Sequence, residues 1–212
     1  MAADTLAGLI ASIGDWTGRK LNASFSAVVP DFVAMAETRI FYGGDEPMQT
    51  PPLRILDMEK KRTIQIVAGV GKLPVGFLEF KRVNWDGGES PKLSFVTARE
   101  LSNEVRTGDT PQCFTVEGDK INVSPAVDGS VTAVFYARYD ALAVPEDTNW
   151  VMQNAPAVYL QAALIPAWEW IGNGERQTMA MASYRSAVSA LNRQHSKSRT
   201  SGETLKIRGN MW

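Results

Sequence analysis

The spacing of apolar residues changes twice along this chain, and that change decides the fold class more firmly than any other feature. Near the start apolar residues recur three and four apart, in the middle they alternate with polar ones, and towards the end the helical spacing returns. A helix shows one face at a period near 3.6 residues and a strand at a period of two, so the chain reads as helices, then a sheet, then helices. Helices from the two ends can pair and leave the β-rich part as an insertion.

Leu6, Leu9, Ile10 and Ile13 predict a first helix, with Asp4 as its cap and Gly14 as its stop. A second helix is predicted to begin at Pro30, a residue suited to a first turn, and to carry Phe32, Ala36 and Ile40 on one face before Gly43 and Gly44 end it. Pro51 and Pro52 make residues 48–52 an extended link. Alternation predicts strands over 63–68, 77–83, 113–116, 120–123 and 131–139, with a short helix over 97–105. Glu117-Gly118-Asp119 predicts a hairpin turn, and Asp128-Gly129 a further reversal. Asn154 and Pro156 then mark the start of a helix whose apolar face holds Leu160, Ala163, Leu164, Ala167, Trp168 and Ile171, with Pro166 expected to kink or break it. After Gly172-Asn173-Gly174 a last long helix over 175–194 turns Met181, Tyr184, Val188 and Leu191 to one side, and beyond His195 periodicity is lost. The expectation is an α+β fold: a helical bundle built from the N- and C-terminal helices (1–52 and 150–196), an inserted small antiparallel β domain (53–149), and an extended C-terminal arm (197–212).

Composition narrows the function. At 212 residues with 44% hydrophobic content a packed core is expected. Lys plus Arg number 22 and Asp plus Glu 23, and the resulting net charge of -1 speaks against a reader of nucleic-acid sequence while permitting self-association. A lone cysteine, Cys113, rules out an intrachain disulfide and fits a reducing compartment. Residues 1–14 lack the basic segment of a signal peptide, and no run reaches the roughly 18 apolar residues that span a bilayer, so no membrane partner is expected and the protein should be soluble and cytoplasmic when made.

The reactive groups that catalysis would need are sparse. The single histidine, His195, sits at the polar end of the last helix, where a solvated role outweighs that of a general base. Cys113 lies in a strand-like run and reads as a small buried hydrophobe rather than a thiolate nucleophile. One His and one Cys exclude the common zinc clusters within one chain, and no cofactor or metal is expected. Gly69-Val70-Gly71-Lys72 invites comparison with a phosphate-binding loop. That motif requires glycine where the chain has Ile66 and Ser or Thr where it has Leu73, so a connection between strands is the better reading. Asp57 with Glu59, or Asp86 with Glu89, could be nominated as a hydrolytic carboxylate pair, but acidic residues in turns are ordinarily only solvated.

Six tryptophans stand out, and Trp168 and Trp170 cannot share one helix face, so one of them is free for a neighbouring subunit or for an all-round buried helix. Trp212 closes a polar tail that has no local core. It either docks back on its own body, anchors in a partner, or belongs to a disordered end, and Lys197, Arg199, Lys206 and Arg208 would steer such an arm towards an acidic surface.

Several segments, taken in order, resemble one family. Residues 30–42 (PDFVAMAETRIFY), Leu73-Pro74-Val75-Gly76-Phe77-Leu78, residues 114–125 (FTVEGDKINVSP), residues 131–139 followed by Ala141-Leu142, and Thr148-Asn149-Trp150 with Ala155-Pro156 and Tyr159-Leu160 are similar to the head-to-tail adaptor proteins of tailed bacteriophages. The resemblance runs over residues 4 to 195. It implies a helical bundle with a β insertion, a homo-oligomeric dodecameric ring in the virion between the portal protein and a tail tube or nozzle protein, and double-stranded DNA crossing its lumen. The family carries no catalytic motif, so no enzyme is expected. In that family C-terminal segments reach the portal, which implies a portal-binding arm here made of Lys197, Arg199, Leu205, Lys206, Ile207, Arg208, Met211 and Trp212. The competing readings are another tail-completion or tail-tube ring protein, and an adaptor with cell-wall hydrolase activity.

Overall fold

A computed structural model describes residues 4–44, 50–87, 91–103 and 108–200. In chain order its elements are α1 (Leu6–Thr17), α2 (Ala23–Tyr42), a 3-10 turn (Leu56–Met58), β1 (Glu59–Ile66), β2 (Val70–Lys72), β3 (Phe77–Trp85), β4 (Ser94–Phe95), α3 (Ala98–Asn103), β5 (Cys113–Glu117), β6 (Lys120–Ser124), β7 (Gly129–Ala137), α4 (Trp150–Asn154), α5 (Pro156–Ile171) and α6 (Gly174–Thr200). The fold is α+β, with the β-rich part inserted between helical segments. Two units result: Met1–Leu56 with Ala141–Trp212, and Asp57–Asp140. The inserted unit is shorter than 53–149 because Leu53 and Ile55 are fully buried and belong to the helical unit, where the Leu53 amide donates to the Ile40 carbonyl at 2.9 Å.

In the helical unit α1, α2, α4 and α6 all pack on α5. Leu9, Ile13, Phe25, Val29, Ala36, Ile40, Tyr159 and Tyr184 fill the core. Thr5, not Asp4, caps α1, its hydroxyl accepting from the Gly8 amide at 3.2 Å, and Gly18 in the left-handed conformation ends it. Gly14 lies inside α1. A Cβ there would stand 3.1 Å from the Lys20 Cα, so this glycine serves a close approach and not a stop.

Pro30 does not begin α2. Asn22 caps that helix through the Phe25 amide at 2.9 Å, and Phe25 and Val29 extend the buried stripe of Val33, Ala36 and Ile40 backwards past the proline. Packing thus holds a helix through a residue that cannot donate its own hydrogen bond. Asn154 likewise closes the one-turn α4, which Asn149 caps, and α5 starts at Pro156 with no side-chain cap. Helix α5 runs past the buried Pro166 to Ile171 without breaking.

Helix α6 runs to Thr200, six residues beyond the predicted end. The predicted arm therefore begins inside a helix: Lys197 and Arg199 are helical, not extended. Loss of apolar periodicity after His195 marks a solvated helix, because no breaker intervenes before Gly202. Leu205, Lys206, Ile207, Arg208, Met211 and Trp212 lie outside the described residues.

The inserted unit holds two sheets, in the orders β1-β7-β3 and β2-β6-β5-β4. All pairings between these strands are antiparallel except β4 with β5, which is parallel. Ile64, Ile66, Val83, Phe114, Ile121, Val123, Val131 and Phe135 form the core of this unit. The predicted hairpin is β5–β6: Glu117 pairs with Lys120, and Gly118 takes φ +60 in the turn. Thr97 and Glu100 make a capping box at α3, with reciprocal bonds of 2.8 and 3.3 Å to each other's amide.

Candidate interaction surface

The groups that chemistry would require have structural employment. His195 is half-buried and not simply solvated. Its Nδ1 accepts from the Leu56 amide at 3.3 Å, and its ring meets Trp150 edge-on at 5.3 Å. Cys113 is buried in β5 with Sγ 3.9 Å from the Ser124 carbonyl oxygen. Ala68 and Gly69, both at positive φ, make a tight turn that joins β1 to β2, closed by a pair of bonds between Val67 and Val70. Glycine is needed at position 71 for a packing reason, since a Cβ would fall 2.6 Å from the Ile66 Cδ1. Asp57 accepts the Tyr139 hydroxyl at 2.7 Å, Glu59 binds Lys81 at 2.9 Å, and Asp86 accepts the Ser130 hydroxyl at 3.1 Å. Glu89 lies outside the described residues. Among the described residues no group of three or more His, Cys, Asp or Glu could hold a metal ion, and no helix is long and apolar enough to cross a membrane.

The more informative features are surfaces of the helical unit. Helix α1 lends Leu6, Ala7, Ile10 and Ala11 to one wall and α2 lends Pro30, Val33, Ala34 and Glu37 to a second; Ala141, Leu142, Ala143 and Pro145 form the third wall of a groove of about 550 Å³. Glu37 is the one charged residue in the described lining. Its Oε1 accepts from the Leu142 amide at 3.3 Å, which ties the third wall to α2. Asp147 shapes that wall from outside, accepting from the amides of Ala143 at 2.6 Å and Val144 at 2.8 Å. These two amides, Val144 first, hold its carboxyl below the ordinary aspartate range. The same wall accepts from α1: the amides of Leu6 and Ala7, which have no partner within the helix, donate to the carbonyls of Asp147 at 2.9 Å and Pro145 at 3.0 Å. Beneath the groove the Tyr159 hydroxyl accepts from Asn149 Nδ2 at 2.8 Å; burial, reinforced by the Glu37 charge, pushes its phenol well above the usual tyrosine value.

A second surface joins α1, α5 and α6. Trp16 and Met179 are 56% and 63% exposed there, an unusual display for such large apolar side chains, and Arg176 stacks over Trp168 at 5.1 Å. Trp168 itself is buried, whereas Trp170 is 46% exposed and meets Phe25 edge-on at 5.5 Å. The two tryptophans do face different sides, as their spacing requires.

Sequence reasoning missed the groove. Its third wall folds back onto α2 from more than a hundred residues away, and no local pattern records that approach.

One family model, that of the SU10 adaptor protein, matches residues 4–206. The chain belongs to the SU10 adaptor protein family. The match takes in both units and all of α6, so membership concerns the whole architecture and not a shared fragment. An adaptor-type phage protein is therefore the class to which these surfaces belong. Leu205 and Lys206 fall within the matched span, whereas Ile207, Arg208, Met211 and Trp212 lie beyond it. No curated protein matches the chain.

Proposed function

We propose that this SU10 adaptor-family chain is a structural subunit of a phage virion that assembles as a ring, of twelve copies, between the portal and the tail, with packaged DNA passing through the lumen. The observation that carries the reading is the family match across both units. The apolar groove and the exposed Trp16–Met179 surface support it, since a ring repeats one interface between two different faces of each copy. The protein acts through surfaces and not through catalysis. The internal partners of Asp57, Glu59, Asp86 and His195 favour this over hydrolysis of the cell wall. Residues 201–212 continue from α6 as a portal-binding arm, in which Leu205, Ile207, Met211 and Trp212 anchor in apolar pockets while Lys206 and Arg208, with Lys197 and Arg199 on the helix, meet acidic groups.

The test mixes the purified protein with the portal of the same virus and measures the mass of the complex. The expected result is a portal carrying a full ring of copies; a monomer that ignores the portal contradicts it. A chain ending at Thr200 should keep its melting temperature yet fail to co-sediment with the portal. Undiminished co-sedimentation of that variant refutes the arm, and lysis of peptidoglycan by the pure protein refutes the non-catalytic role.

A further inference from the structure

The helical unit segregates its charge. Residues 176–200 contain Arg176, Arg185, Arg193, Lys197 and Arg199 and not one aspartate or glutamate. Ala180, Tyr184 and Val188 mark the buried side of α6. At about 100° per residue, Arg193 and Lys197 fall opposite that side and Arg185 on its flank, and all three are exposed. Beside them the outward positions are Ala182, Ser186 and Ser189, small side chains that let another surface come close to the helix backbone.

The groove is the complement. Its three contributing segments, residues 4–11, 30–37 and 141–147, carry Asp4, Asp31, Glu37, Glu146 and Asp147 and no lysine or arginine. The lining is apolar but for Glu37, and the other four acids stand within two residues of lining positions, so an occupant suited to it has small or apolar groups in the middle and cations beside them. Helix α6 has that pattern. It cannot serve its own groove, because no described residue of α6 lines it and α6 packs instead on α5.

We propose that the outward face of α6 of one copy lies across the α1–α2 groove of the next. Ala182, Ser186 and Ser189 sit over the apolar floor, and Arg185 and Arg193 reach the acidic rim. This inference rests on the ring reading above and gives it a definite interface. The contact is heterologous, since groove and helix are different faces of each copy, so it propagates from copy to copy and forms a ring where the rotation closes, rather than ending at a dimer. Its charges lie at the rim, so it should weaken as salt rises.

The experiment uses two charge-reversed full-length proteins, one with Arg185→Glu and Arg193→Glu, the other with Asp31→Lys and Glu146→Lys. Ring assembly on the portal is followed by mass measurement, with circular dichroism confirming the fold of each. Each variant alone should need at least about tenfold more protein to assemble than the unaltered chain. An equimolar mixture should recover assembly, because an alternating ring pairs every reversed helix with a reversed groove and every native helix with a native groove. Unchanged assembly of either variant, or no recovery in the mixture, overturns the interface while the ring itself stands. Failure of the unaltered chain to form any ring removes the reading beneath it. If the α6 variant loses retention on duplex DNA and self-associates as before, the basic face serves nucleic acid and the proposal is wrong. A second route is independent of charge: an Ala34→Cys, Ser186→Cys double variant should give a ladder of covalently linked copies on oxidation. Absence of the ladder overturns the proposal as well.

Discussion

Asn192 is a single side chain with two long-range duties. Its Oδ1 accepts from the Arg54 amide at 2.9 Å and its Nδ2 donates to the Pro52 carbonyl at 3.1 Å, fastening the end of the first helical segment to α6 across some 140 positions of sequence. Both bonded backbone groups are only partly exposed, so Asn192→Ala should cost about 1–3 kcal/mol in chemical denaturation; a variant as stable as the parent would show that the bridge contributes nothing. Asp147 works more locally. With its folded value depressed, its contribution is complete above the unpaired aspartate value of roughly 4 and falls away as pH drops through the lowered one. Exchange of the Ala143 and Val144 amides, taken relative to their intrinsic rate at each pH, should therefore be slow and steady near neutrality and faster in acid. Asp147→Ala should make that exchange fast at every pH, whereas Asp147→Asn, which keeps a carbonyl acceptor, should retain much of the protection; equal exchange in all three would contradict this role. Neither residue could be recognised from its neighbours in the chain. Asn192 looks like any polar helix position because its partners are supplied by residues 52–54, whereas Cys113 was readable as buried because it opens a short strand-like run beside Phe114.

Among the elements, legibility follows how local the determining signal is. The β5–β6 hairpin could be read because the turn and both alternating strands lie within a dozen residues. The start of α2 could not be read from Pro30 alone, since the Asn22 cap and the buried Phe25 and Val29 outweigh a proline that would ordinarily open a helix. The C-terminal extent of α6 was hidden for the opposite reason. Its last turns bury little, so nothing in the apolar pattern records them, although Ser198 still bonds back to the Gln194 carbonyl at 3.1 Å. In the inserted unit the glycine that opens β7 is set by tertiary packing: a Cβ on Gly129 would stand 2.5 Å from the Trp85 ring carbon Cζ2. Gly129→Ala should push that ring out of its place in the core and destabilise the protein by about 1–3 kcal/mol, read by denaturation followed through tryptophan fluorescence. An alanine variant with the parent's midpoint would show that Trp85 has room to move.

At the scale of the whole molecule these pieces serve one purpose. The order of helices, sheet and helices was plain from period alone, and the phage adaptor resemblance agrees with a family match that runs through both units. Surfaces were not plain, because a surface is assembled from distant segments. The groove needs α1, α2 and residues 141–145 together, and the charge segregation matters only once α6 is known to lie outside it. Salt offers a simple check on the assembled state: rings held by rim charges should dissociate as sodium chloride is raised well beyond the physiological range, and rings indifferent to salt would point to an apolar interface instead. The adaptor reading itself is best tested in the particle. An electron cryomicroscopy reconstruction of the portal vertex of the intact virion should show a ring of copies of this chain seated against the portal and open around the DNA. A vertex fully accounted for by other chains, with this one absent or bound elsewhere in the particle, would contradict it.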